Sequence, residues 1–225
     1  MAECSGMRTG RYQEPLIPDN IESLMNFAGK LEHSISYRHP STYLGQRVAV
    51  LGSGSSGEEL SREISSTAQR VFVCAHQNSR AFFPQEEGIY GERRNISRHR
   101  EIHACQGRDI VLACGERLTD IDTLLLCTGF RVSNTLLSLF PGAVLSGNQI
   151  CITPLYLNTF HPVYPELMVF GMPMASVVNA TYHCQAKLVT GYATGQFRLP
   201  SEKQRIFAAQ QTELKQSGRL GGCRT

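Results

Sequence analysis

Apolar and polar positions along this chain fall into short blocks, and the blocks alternate between two periods. Val48–Leu51 is an unbroken apolar run, the signature of a strand buried on both faces. Behind it, Glu58–Gln69 places Leu60, Ile64 and Ala68 at i, i+4 and i+8, which predicts a helix with one apolar face. Arg70–Ala75 (RVFVCA) predicts a second strand and completes a strand–helix–strand unit. Upstream, residues 1–20 are broken by Gly10, Pro15 and Pro18 and read as an extended lead-in. Residues 21–34 (IESLMNFAGKLEHS) read as a short helical or turn segment, and 37–46 (YRHPSTYLGQ) as a loop. Residues 91–100 (GERRNISRHR) are polar and basic and predict a solvated loop. Between 101 and 127 the clearest strands are IVLAC and TLLLC, on either side of the turn GERLTD. A short strand at Leu167–Gly171 and a helix over Val177–Tyr192 follow. A polar helix then opens at Pro-Ser-Glu after Leu199 and frays in SGRLGGCRT.

Composition changes this picture little. The 225 residues are 41% hydrophobic and 18% charged, ordinary for a globular chain large enough for one or two cores. A net charge of +3 lacks the concentrated basic stripe of a nucleic-acid binder, and the four arginines of 91–100 have no interleaved aromatics. No apolar run approaches the ~18 residues needed to span a bilayer, and the first residues lack a secretory h-region. The cysteines Cys4, Cys74, Cys105, Cys114, Cys127, Cys151, Cys184 and Cys223 include no C-x-x-C pair. That spacing excludes a zinc site, a dithiol centre or a disulfide scaffold, and predicts mostly buried thiols in a reducing compartment, with no metal. The sequons at Asn95 and Asn179 therefore read as chance matches.

The chemistry concentrates at Gly52-Ser53-Gly54-Ser55-Ser56-Gly57, directly after one predicted strand and opening a helix. In a dinucleotide turn the first glycine permits the tight bend. The second lets a pyrophosphate approach the backbone, and the third lets helix and strand pack closely. Free N–H groups at the helix start meet the phosphate charge, and Ser53, Ser55 and Ser56 add hydroxyl donors. No Gly-Lys-Ser/Thr follows, so this is not a Walker loop. About 20 residues past such a turn, NAD sites place an acid on the ribose. Here Cys74–Arg80 holds no carboxylate, and Arg80 is available to a 2′-phosphate, so the turn reads as an NADP site.

Upstream lies Phe27-x-Gly29-x-x-x-His33-x-x-x-Tyr37-Arg38-x-Pro40. By spacing alone, His33 and Tyr37 share one helical face or are merely loop neighbours. Followed by GQRVAVLGSGSSG, the pattern resembles the flavin-containing monooxygenases, with Tyr37 as in the branch that oxygenates nitrogen or sulfur. Asp122–Phe130 (DTLLLCTGF) is similar to the second linker segment of that family. Pro154-Leu155-Tyr156, Pro165–Pro173, Gln185-Ala186 and Leu199-Pro200-Ser201 follow in family order. The resemblance implies pyrophosphate contact along Gly52–Gly57 and a 2′-phosphate partner in Arg80. It implies a crossover at Thr128-Gly129 and a return of Gln185 towards an FAD domain. It also implies a coupling linker, not an acid–base centre, at Phe27, Gly29, His33, Tyr37 and Arg38.

The likeness breaks at the start, where the family carries a first G-x-G-x-x-G turn for FAD and this chain has none before residue 47. Cys127 and Phe130 also stand for the usual alanine and tyrosine. The chain thus looks like the later portion of such an enzyme and is not expected to hold FAD tightly by itself. The expected fold is α/β. It comprises a lead-in and linker motif (1–40), a Rossmann-like NADP-binding domain with a small antiparallel β insertion (41–130), a partial FAD-domain remnant (131–201) and a polar helical tail (202–225). The resemblance implies NADPH-, FAD- and O2-dependent oxygenation of a small nucleophilic substrate. The alternative is a catalytically inactive NADP-binding fragment or isoform with a regulatory or interaction role. The expected location is cytoplasmic or peripheral on an intracellular membrane.

Overall fold

A computed structural model describes residues 14–76, 88–131, 141–142, 144–145, 152–171 and 178–220, with backbone alone at 145, 178 and 213–220. The chain divides into two compact units, one of residues 15–129 and the other of 1–14 with 130–225. Short strands β1 (Glu14–Pro15) and β11 (Phe130–Arg131) lie where the chain passes between them.

The unit 15–129 is built on a six-stranded sheet. Its strands are β2 (Lys30–His33), β3 (Arg47–Leu51), β4 (Arg70–Cys74), β5 (Ile89–Tyr90), β6 (Ile96–His99) and β10 (Thr123–Leu126), in the order β2-β10-β3-β4-β6-β5. All neighbours are parallel except the β5–β6 edge. The unbroken apolar runs fill both faces at alternate positions. Val48, Val50, Val71, Val73 and Leu125 point one way, and Ala49, Leu51, Phe72, Leu124 and Leu126 the other. The first face is covered by Ile64 of α1 (Ser55–Ser65), Ala68 and Tyr43. The second is covered by a three-stranded antiparallel sheet of β7 (Ile102–Gln106), β8 (Asp109–Leu112) and β9 (Arg117–Leu118), with Ile21, Leu24 and Phe27. This is the α/β fold with a small antiparallel insertion that the pattern predicts.

Two readings of the chain are corrected. Residues 91–100 do not form a solvated loop: after a turn at 91–94 they enter the parallel sheet as β6, with Ile96 fully buried. The polar residues there are used by α1. Asn95 Nδ2 donates to the carbonyls of Ser65 and Ala68 (3.0 Å each), and Arg93 Nη1 donates to Ser66 O (2.7 Å). The C-terminus of α1 thus receives an amide and a guanidinium where its last carbonyls lack helical partners, ending it at Ser65 rather than at Gln69. Arg98 forms an ion pair with Glu58, which is fully buried on α1. In the second correction, 21–34 ends as strand β2, so His33 and Tyr37 do not share a helix face; a 3-10 turn, Ser34–Ser36, separates them.

The other unit is described on its own. Here β12 (Val144–Leu145) pairs with β13 (Ile152–Thr153), and two helices follow, α2 (Val178–Ala193) and α3 (Glu202–Leu220). Ser201 opens α3: its hydroxyl and N–H both donate to Gln204 Oε1 (2.9 and 3.1 Å), half of a capping box. The helix continues through Gly218-Arg219-Leu220 where fraying is expected. The strand expected at Leu167–Gly171 reduces to one bridge, Phe160 to Met168, inside a compact turn.

Candidate functional site

The three glycines of the turn face different things. Strand β3 hands over to the turn through Gly52 N–H→Cys74 O (2.8 Å), while Cys127 N–H→Leu51 O (2.8 Å) carries the ladder past β10. Gly52 has φ +112, and a Cβ there would lie 2.5 Å from the Cys127 carbonyl oxygen. A Cβ on Gly57 would fall inside the carbonyl oxygen of Gly52. Only glycine lets β3, α1 and the end of β10 approach this closely. Gly54 has ordinary φ −70 and nothing within 4 Å of where its Cβ would be. It is the N-cap of α1 and makes no side-chain cap, and the first intrahelical bond runs from Glu58 N–H to its carbonyl (3.0 Å). The amides of Ser55, Ser56 and Gly57 therefore stand at the positive end of the helix. Ser55 and Ser56 are exposed and Ser53 is buried.

A cavity of about 160 Å³ opens beside the turn, along the carboxyl ends of the strands, with Leu51, Gly52, Ala75, His76, Glu101 and Thr128 in its walls. The sheet order explains its place. The strand following β3 in the chain, β4, lies on one side of it, and the late strand β10 on the other. Such a reversal of strand order leaves a crevice at the carboxyl edge, where open α/β sheets bind ligands. Thr128 Oγ1 donates to Leu16 O (2.5 Å), and Gly129 has φ +82. Arg80 lies outside the described residues.

The linker motif is a set of braces inside the same unit. Phe27 is buried, and a Cβ on Gly29 would meet its ring at 2.6 Å and the Asp122 carbonyl at 2.7 Å. The Nδ1 of His33 accepts from Ile35 N–H (3.2 Å), which leaves Nε2 as the donor to Gly129 O (2.9 Å). Both ring nitrogens thus hold backbone, joining the end of β2 to the segment after β10. Desolvation lowers the pKa of His33, partly offset by the bond to Gly129. Tyr37 stacks on Tyr43 at 5.9 Å, and burial with the nearby Glu63 carboxylate pushes its pKa up. Arg38 Nη1 donates to the carbonyls of Ile35 and Tyr37 (2.8 and 2.7 Å).

In the other unit Gln185 is buried, and its amide is engaged by protein groups. Oε1 accepts from Gly171 N–H (3.1 Å), and Nε2 donates to Asn158 O (3.2 Å) and Thr159 Oγ1 (3.1 Å). Cys127 is half-buried beneath the turn, its thiol pushed up to about 12 by desolvation and so protonated at neutral pH. Cys74 and Cys105 are buried, but Cys114 and Cys184 are exposed, contrary to the expectation of mostly buried thiols. Among the described residues there is no group of three metal-ligating side chains, and no helix is long and apolar enough to cross a membrane.

Strand, glycine turn, amphipathic helix and carboxyl-edge cavity follow one another in the arrangement of an open α/β sheet with a crevice at its switch point. Comparison with known proteins narrows this. The family model described as flavin-binding monooxygenase-like matches residues 3–86. The flavin-containing monooxygenase FMO GS-OX5 of Arabidopsis thaliana is 26% identical over 195 residues, covering 86% of this chain and 41% of that protein. The S-allyl-L-cysteine S-oxygenase of Allium sativum superposes with TM-score 0.74 at 23% identity, over 93% of this chain and 46% of its own. Tmm from Pelagibacter sp. strain HTCC7211 gives TM-score 0.70 at 21% identity, over 89% and 43%. The chain is similar to flavin-containing monooxygenases over most of its length, and it spans about two-fifths of the length of the curated relatives it matches.

Proposed function

We propose that residues 15–129 form the NADPH-binding part of a flavin-containing monooxygenase. The observation that carries this reading is the division of labour among the glycines. Gly52 and Gly57 are required by the fold, whereas the side-chain position of Gly54 is open space at a helix N-terminus. A glycine with no internal steric reason, there, leaves room for a pyrophosphate against backbone N–H groups. On this reading Ser55 and Ser56 add hydroxyl donors and Arg80 pairs with the 2′-phosphate. Thr128 and Gly129 line the approach from the linker.

The FAD that the family implies does not fit this chain in the same way, because its sequence holds one strand–glycine-turn–helix unit, assigned here to NADP. Flavin, NADPH and O2 together supply the oxygenation of soft nitrogen or sulfur nucleophiles in the enzyme proposed. The structural neighbour from Allium sativum, an S-oxygenase by name, supports a sulfur substrate. The second reading is a catalytically inactive NADP-binding fragment or isoform with a regulatory or interaction role.

Fluorescence titration of NADPH into the full chain tests the binding role. Gly54→Val fills the open position without meeting other atoms, so binding is lost while the melting temperature stays within a few degrees. Retention of NADPH binding by Gly54→Val overturns the site. Arg80→Gln weakens NADPH and leaves NADH unchanged if Arg80 is the phosphate partner.

A further inference from the structure

Counting along the chain from the turn finds no acid at the end of β4, and on that ground the site reads as NADP-specific. The fold alters the count. β6 lies parallel beside β4, and the register continues past both strand ends through Ala75 N–H→His99 O (3.2 Å). The residues immediately beyond, His76 and Glu101, therefore meet: His76 Nε2 lies 3.7 Å from Glu101 Oε2. Both line the cavity that Gly52 and Thr128 also line. A carboxylate thus stands at the carboxyl edge after all, delivered by the neighbouring strand. The Glu101 side chain is half-exposed.

We propose that Glu101 is a specificity-determining residue for the coenzyme: it accepts a hydrogen bond from the 2′-hydroxyl of an unphosphorylated adenosine ribose and so admits NADH to this site. The proposal rests on the reading that the cavity holds the adenosine end of a nicotinamide dinucleotide, and deepens it. The physics is a difference between two ligands at one oxygen. A ribose 2′-hydroxyl donates to a carboxylate, a charge-assisted bond stronger than a neutral one. A 2′-phosphate in the same place has no proton to give at neutral pH and adds like charge. His76 stands beside the carboxylate in the same cavity wall. Glu101 thus favours the hydroxyl, in the opposite sense to the 2′-phosphate contact proposed above, and the site accepts both coenzymes.

The test is parallel titration of NADH and NADPH into the full-length chain and into Glu101→Gln, read as the ratio of the two dissociation constants. The wild-type chain is expected to bind both within about tenfold. Loss of one charged hydrogen bond in Glu101→Gln weakens NADH about tenfold, and removal of the repulsion leaves NADPH equal or tighter. The substitution is isosteric at a half-exposed position, and an unchanged thermal melt confirms folding. A ratio that does not move, with both nucleotides still bound, overturns the role of Glu101 and leaves the cofactor site standing. Failure of the wild-type chain to bind either nucleotide overturns the cofactor reading and this inference together.

Discussion

The two units are held together by different means. In residues 15–129 the interior is apolar on both sides of a sheet, and alternate residues of β3, β4 and β10 feed two separate clusters. In the unit containing 130–225, much of the described interior is polar and stitched to backbone. His161 Nε2 donates to Pro141 O (2.8 Å), while its Nδ1 accepts from Tyr164 N–H (2.9 Å). Arg205 Nε donates to Pro162 O (2.9 Å) and Nη1 to Pro200 O (2.6 Å). Gln185 makes two such bonds and a third to the Thr159 hydroxyl, and Glu14 pairs with Arg131. Apolar burial is non-directional and tolerates small shifts, whereas each stitch depends on geometry and leaves a stranded polar group when cut. One unit is laminated; the other is tied.

The contrast breaks most sharply where the laminated unit has least tolerance. Gly57→Ala forces a Cβ into the Gly52 carbonyl, and neither backbone can yield without parting α1 from β3. The expected loss is about 3 kcal/mol or more, with nucleotide binding abolished. Chemical denaturation with parallel NADPH titration measures both; full binding at wild-type stability sinks the packing argument.

Next comes the polar exception inside the laminated unit. Glu58 is fully buried against Arg98, so Glu58→Ala strands a guanidinium and costs about 3 kcal/mol. Glu58→Leu with Arg98→Met is expected to lose less than either single change. A double variant as unstable as the sum of its singles refutes coupling between the two.

In the tied unit, Gln185→Ala removes three bonds and is expected to cost about 2 kcal/mol. Hydrogen exchange sharpens the comparison. Amides of 156–171 and 178–193 lose protection, while those of β3 and β10 keep theirs. Equal loss in both units erases the distinction drawn here.

The smallest effect concerns pH. His33 titrates below its ordinary 6.5 in the folded chain, because burial disfavours the imidazolium. The unfolded chain therefore takes the proton first. Stability is full above pH 6.5 and falls as the pH drops from there towards the folded value. His33→Gln flattens that part of the profile, and urea midpoints across pH 5–7.5 measure it. An unaltered slope in the variant assigns the acid sensitivity elsewhere.

How much of this was legible in the sequence follows from the range of the interactions. β3, α1, β4 and β10 are announced by local periodicity, and the glycine turn by its position between strand and helix. β6 was hidden because its faces are served by different chemistry. Ile96 is its one aliphatic side chain, while Asn95 is buried and Arg98 partly buried by partners in and just after α1, 27 to 40 residues away. A partly buried arginine reads as a solvated one until its carboxylate is found. Glu101 was illegible for the same reason, since its proximity to His76 depends on two strands lying side by side. The end of α1 was misplaced because Asn95, not a glycine, stops it.

Asn95 carries one consequence beyond the sheet. It heads a perfect Asn-Ile-Ser acceptor triplet, yet both hydrogens of its side-chain nitrogen are committed to the carbonyls of Ser65 and Ala68. That nitrogen is the atom an oligosaccharide would have to bond. Sugar at this position and a seated first helix are mutually exclusive, so the folded chain is closed to glycosylation there, whatever compartment it passes through.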